Sequence, residues 1–382
     1  MEDICRRIAT VAAKVFKNLD NQDLIKCKES SKVICSFLDE EVLFAKRIIM
    51  AHFGNLVEFK DSWSKVIEKA PAIIVKQLSK AVQHFFKDDK SRFTNQWNPL
   101  QIAVEMGTKQ ICKYIIDKTD AVSQAEMSSA LFLVATRGHR EICELLVKNL
   151  EDKNPSDPLK KGLTPFHDAA ANGHVGICKV LMKNLSNKNP GDNIGWTPLH
   201  SAAKFGYLEV SKLILLFNIE KNPKCTSLPD DTVLHTAGWF GQLEIYQLIS
   251  KYVKNVNPPR SDGVTPLHLA AQKGHLKICY FISENSKNLS PSNNVGYVPL
   301  HWAALYGRLE VCKFLLENGA EKNPSNNLGF TPLHSAAQNG HIEVIKLLGS
   351  YVQDKNPKNI NGTTPSTLLH LYFLKNLFDV KS

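Results

Sequence analysis

No run of about 18 consecutive apolar residues occurs anywhere in the 382-residue chain, so a membrane-spanning helix is not expected. The opening MEDICRRIATVAAKVF carries two early acidic residues and no uninterrupted apolar core, which does not read as a secretory signal. Nine cysteines are present without paired C-x-x-C spacing, which argues against a disulfide framework or a zinc site and for reduced thiols in a cytosolic or nuclear protein. Catalytic signatures are equally missing. There is no H-E-x-x-H, no G-x-x-x-x-G-K-[ST], no G-x-S-x-G and no strand-linked G-x-G-x-x-G. Nothing assembles a nucleophile, a base or a phosphate cradle, so neither an enzyme nor a metal or cofactor site is expected.

What is present is the composition of a folded protein: 43% hydrophobic, 22% charged and 8% aromatic residues. Lysine and arginine (47) exceed aspartate and glutamate (37), giving a net charge of +10, which fits an acidic partner or simple solubility equally well. Nucleic acid is disfavoured as a partner, because lysine dominates and aromatics are not interleaved with arginine.

The dominant feature is a repeat. The segments GLTPFHDAAANGH (162–174), GWTPLHSAAKFGY (195–207), DTVLHTAGWFGQ (231–242), GVTPLHLAAQKGH (263–275), GYVPLHWAALYGR (296–308) and GFTPLHSAAQNGH (329–341) align on His167, His200, His235, His268, His301 and His334. These histidines are 33, 35, 33, 33 and 33 positions apart. Weaker copies precede them at 98–108 and 129–139, and GTTPSTLLHLYF (362–373) reads as a truncated last unit. Thr197 before Pro198 predicts a helix N-cap with proline at the first helical position, and Gly206 predicts a left-handed stop. LEVSKLILLF then has the apolar spacing of a second helix, with Asn222-Pro223 expected to end it. Each unit is therefore helix, tight turn, helix and hairpin-like loop.

T-P-L-H-x-A-A-x-x-G-H followed by a second helix and an Asn-containing loop resembles the ankyrin repeat, over roughly residues 97–382. The resemblance implies an all-α solenoid of stacked units, with a protein partner held on the loops and inner concave face. Residues 97–357 would be about eight repeats and 358–382 a capping repeat, with Leu368 to Phe378 closing the stack.

Each notable residue can be judged within its column. Cys112, Cys143, Cys178, Cys279 and Cys312 all lie five residues after the turn glycine, where other units have Ser211, Tyr246 and Ile345, as expected of a packing position. One histidine per repeat cannot share an ion with the next. Hydrogen bonding to backbone between repeats is the expected role, and the family resemblance implies the same. Lys153, Lys188, Lys221, Val256, Leu289, Lys322 and Lys355 share a column, which suggests stems on apolar surface with the ammonium in water. The variable positions carry Trp196, Phe205, Trp239, Phe240, Tyr297, Trp302, Tyr306 and Phe330, residue types suited to anchoring a protein target.

Residues 1–70 lack the repeat and read as three short helices, with Val15, Phe16, Leu19, Leu24 and Ile25 on a common apolar face. The string 14–48 resembles an F-box, through Phe16, Leu19, Asp20, Asp23-Leu24-Ile25 and Asp39-Glu40-Glu41. It departs from that family at Arg7-Ile8, Glu29, Ser30 and Ile34. The resemblance implies docking of these helices on the adaptor of a cullin–RING ubiquitin ligase. Residues 71–96 are expected to form a linking or capping helix. Two functions remain open: a ligase substrate receptor, or a scaffold or effector that binds and masks a protein.

Overall fold

The computed structural model describes residues 99–379 apart from 106, 108, 119–121, 218, 219 and 228; the F-box-like segment and the residue 71–96 helix lie outside that range. The chain divides into two compact units, Met1–Glu151 and Asp152–Ser382. In the first, the described part consists of α1 (Pro99–Glu105), α2 (Lys109–Lys118), α3 (Gln124–Arg137) and α4 (Arg140–Asn149). Helix α1 packs on α3 and α2 on α4, and the ion pairs Lys109–Glu141 and Arg137–Glu105 (both 2.7 Å) link the two pairs.

The second unit repeats the pattern six times. Its first helices are α5 (Pro165–Ala171), α7 (Pro198–Phe205), α9 (Val233–Phe240), α11 (Pro266–Lys273), α13 (Pro299–Leu305) and α15 (Pro332–Gln338). Its second helices are α6 (Val175–Asn184), α8 (Leu208–Phe217), α10 (Leu243–Ser250), α12 (Leu276–Asn285), α14 (Leu309–Glu317) and α16 (Ile342–Tyr351). A single helix, α17 (Pro365–Asp379), follows and packs on α15. First helices pack on first helices and second on second, forming two rows. No strand occurs among the described residues, only two isolated bridges, Asp157–Leu163 and Lys224–Thr232.

The first helices start as the sequence predicts. Thr197 is extended (φ −108°) and Pro198 follows at the first helical position, where its missing N–H costs nothing. The reciprocal partner is the histidine. His200 Nδ1 accepts from Thr197 N–H (3.1 Å) and lies 2.9 Å from its Oγ1; the same pair recurs at Thr164–His167, Thr232–His235, Thr265–His268 and Thr331–His334. Val233 in place of proline leaves the start of α9 intact, because Thr232 and His235 still close it.

An Nδ1 that accepts leaves the proton on Nε2, and each Nε2–H donates to a backbone carbonyl of the next unit. The acceptors are Trp196 (2.8 Å), Asp231 (3.4 Å), Val264 (3.2 Å), Tyr297 (3.0 Å), Phe330 (2.9 Å) and Thr363 (3.1 Å) for His167 through His334. A second ladder joins the far ends of the first helices. In four units the residue after the turn glycine donates to the preceding unit: Gln242 to Lys204 O, His275 to Trp239 O, Arg308 to Gln272 O and His341 to Leu305 O (3.0–3.3 Å). This contact explains the glycine twice over. Gly241 has φ +76°, and a Cβ there would lie 2.6 Å from His275 Cε1.

Two expectations about the loops need correction. Helix α8 ends at Phe217, well before Asn222-Pro223, and the only non-glycine residues with positive φ among those described are Lys161 and Asp230. The loop asparagines instead cap the following first helix: Asn154, Asn189, Asn222 and Asn257 accept from Phe166, Leu199, Leu234 and Leu267 N–H (2.9–3.2 Å). The lysines just before these asparagines do not simply reach water. Lys188 Nζ donates to Met182 O and Leu185 O, and Lys221 Nζ to Leu215 O, so the ammonium satisfies orphan carbonyls at the negative end of the second helix.

Between the rows lies an apolar core. Leu199, Ala202, Ala203, Val210 and Ile214 are fully buried, as are their counterparts in α9 to α12, and each large aliphatic contributes about 1.5–3 kcal/mol. The cysteine column lies here with Ser211 and Tyr246, all inaccessible; Tyr246 O–H donates to Val256 O (2.5 Å).

Burial drives the histidine ladder toward the neutral ring. Desolvation lowers His200 and His235 to about 3 and His268 and His301 to about 4. In the unfolded chain these rings titrate near 6.5, so between pH 6.5 and 4 the unfolded state takes up protons that the folded state refuses. Their stabilisation is complete above pH 6.5 and declines as pH falls, with a limiting slope of about 1.4 kcal/mol per pH unit for each ring. Urea midpoints measured from pH 7.5 to 4.5 should therefore fall steeply below 6.5; a flat profile to pH 4.5 contradicts the ladder.

Candidate protein-binding surface

The rings singled out from the sequence fall into two sets. Trp196, Tyr297 and Phe330 follow the hairpin glycines and are half-buried, each lying against the histidine of its own unit: Trp196 at 4.9 Å from His200, Tyr297 at 5.2 Å from His301 and Phe330 at 5.2 Å from His334. Trp196 Nε1–H donates to Ser201 Oγ (3.0 Å). Trp302 is also half-buried, 5.7 Å from His268 of the preceding unit. These four shield the ladder and present only part of their area.

The other four stand at the C-terminal ends of the first helices, Tyr306 one residue beyond α13. Phe205 (52%), Phe240 (39%) and Tyr306 (44%) are exposed, and Trp239 is half-buried. Two lysines knit three of them together. Lys204 Nζ lies 5.1 Å from the Phe205 ring and 5.5 Å from Phe240, while Lys273 Nζ sits 4.0 Å over Trp239. The cluster spans α7, α9 and α11, and Tyr306 holds the same place before the turn glycine, just after α13. Lys204 and Lys273 escaped the reading of the sequence, although they occupy the very columns that supplied the aromatics. The signal was positional equivalence, not residue type.

The adaptor residues Val15, Phe16, Leu19, Leu24 and Ile25 lie outside the described residues. Among the described residues no group of three or more histidines, cysteines or carboxylates is placed to hold a metal ion. No helix among them is long and apolar enough to cross a membrane.

The family model for ankyrin repeats (3 copies) matches residues 69–157, 131–225, 215–293, 234–326 and 286–359. The chain belongs to the ankyrin-repeat family. Such repeats are interaction modules, typically non-catalytic, so the chain engages protein partners. The crystal structure of the human ASB11 ankyrin repeat domain is similar at 26% identity, over 55% of this chain and 96% of that one, with a TM-score of 0.49. No curated protein matches.

Five buried cysteines among the described residues are unsuited to chemistry. Desolvation pushes the thiols of Cys112, Cys143, Cys279 and Cys312 up to about 12 and that of Cys225 up to about 11. The thiolate is the reactive form, so iodoacetamide at pH 8 should modify Cys279 roughly a thousandfold more slowly in the folded chain than in urea, read by peptide mass. Rapid labelling of Cys279 in the folded protein contradicts a packing role.

Proposed function

We propose that this chain is a non-catalytic receptor that presents a bound protein to a cullin–RING ubiquitin ligase. In this reading residues 1–70 form an F-box-like domain that recruits the ligase adaptor through Val15, Phe16, Leu19, Leu24 and Ile25. Residues 71–96 link it to about eight repeats in 97–357, and 358–382 close the stack. The target rests on Phe205, Trp239, Phe240 and Tyr306, with Trp196, Tyr297, Trp302 and Phe330 adding their exposed edges.

The observation that supports target binding is the exposed aromatic row at the C-terminal ends of α7, α9 and α13. Exposed rings on rigid helices bury large area at little cost in rotamer freedom, which is the character of interface anchors. Support for the ligase half is the F-box-like string alone. The departures at Arg7-Ile8, Glu29, Ser30 and Ile34 favour the second reading, a scaffold that binds and masks its partner without a ligase.

Affinity capture with and without residues 1–70, followed by mass spectrometry, separates the two. A receptor should bring down adaptor and cullin only with the intact chain, while the target comes down with both. Absence of adaptor and cullin from both samples overturns the receptor reading and leaves the scaffold.

A further inference from the structure

The row of first helices that carries the exposed rings has an unusual charge pattern. Across α7, α9, α11, α13 and α15 there is no aspartate or glutamate, and the only charged side chains are Lys204 and Lys273. The carboxylates of the same repeats lie elsewhere: Glu209 pairs with Lys212 on α8 (2.7 Å), Asp231 and Asp262 pair with Arg260 (2.9 and 2.7 Å), and Asp230 pairs with Lys224 (2.5 Å). Lys204 and Lys273 have no carboxylate within ion-pair distance among the described residues, and each instead rests on aromatic rings.

We infer that the partner of this surface is an acidic polypeptide segment that sets carboxylates against Lys204 and Lys273 and an apolar side chain against the rings beside them. This rests on the reading of the aromatic row as the protein-binding face. Lys204 is on α7 and Lys273 on α11, and each ammonium reaches a ring of α9, the helix between them: Lys204 Nζ lies 5.5 Å from Phe240 and Lys273 Nζ 4.0 Å from Trp239. The two cations thus flank one pair of neighbouring rings, whose accessible area would receive the apolar side chain.

Two features prepare the lysines for this role. The rings hold each ammonium in place, which lowers the ordering cost that a free lysine bears on binding. The backbone beneath is fixed by the second ladder, through Gln242 to Lys204 O (3.3 Å) and His275 to Trp239 O (3.0 Å). A carboxylate arriving on this apolar patch meets a field less screened than in open solvent. Lys204, Lys273 and the neighbouring Arg308, whose Nε is taken up by Gln272 O (3.0 Å), are too few to track a phosphate backbone, which favours a polypeptide over a nucleic acid.

The test uses the full-length chain and fluorescein-labelled twelve-residue peptides carrying two Glu around a central leucine, read by fluorescence anisotropy. Binding should be at least tenfold weaker with Gln for both Glu, and weaker as salt rises. The Lys204→Glu/Lys273→Glu variant should lose the acidic peptide and gain its counterpart with Lys for both Glu. The Lys204→Gln/Lys273→Gln variant, with thermal melting as the folding control, should lose the first without gaining the second. Equal binding of the Glu and Gln peptides, tighter binding of a twelve-nucleotide single-stranded DNA, or no binding by any acidic peptide overturns the inference. If binding is lost in Trp239→Ala yet indifferent to peptide charge, the aromatic surface stands as an interface and the acidic partner is discarded.

Discussion

The structure depends on an imidazole that is wired on both sides. Its Nδ1 closes the start of its own helix by accepting from the threonine N–H, and its Nε2–H reaches a carbonyl one unit further on, as His268 does to Tyr297 O at 3.0 Å. Only the neutral ring serves both bonds, since protonating Nδ1 would set a donor against the threonine N–H. Burial enforces that state. No unit is complete alone, because the carbonyl that satisfies its histidine belongs to its neighbour. At the last rung His334 uses Thr363, and Tyr372 of α17 fills the space over Gly340 that the residue after a turn glycine fills elsewhere.

The second ladder separates structural from recognition duties. It fixes the backbone carbonyls of Lys204, Trp239, Gln272 and Leu305, so the hold of one unit on the next does not depend on the side chains at those positions. Gln272 is buried and the other three are half-buried. Two of the four are aromatic or cationic in this chain, Trp239 and Lys204, and no carboxylate accompanies them on the first helices from α7 to α15.

Much of this was legible in the sequence. The spacing of the histidines defines the units, Thr-Pro marks each first helix, and the glycine marks its end. The cysteine column declares its packing role because serine, tyrosine and isoleucine replace it. The duties of the loop residues were not legible. Asn189 and Lys188 are adjacent, yet one caps the helix ahead and the other the helix behind, a division set by the path of the hairpin in three dimensions. Within the aromatic set, too, composition does not distinguish Trp302, which shields the ladder, from Phe205, which faces outward; only the ring partners do. Lys204 and Lys273 were overlooked because their importance comes from the rings beneath them.

The central claim is that the last turns of the first helices, not the second helices, receive the partner. Hydrogen–deuterium exchange on the full chain with and without its captured partner addresses this most directly. Slowed exchange is expected in peptides covering 202–207, 237–242 and 270–275. Slowed exchange confined to 209–217 and 244–250, with those turns unchanged, would contradict the account.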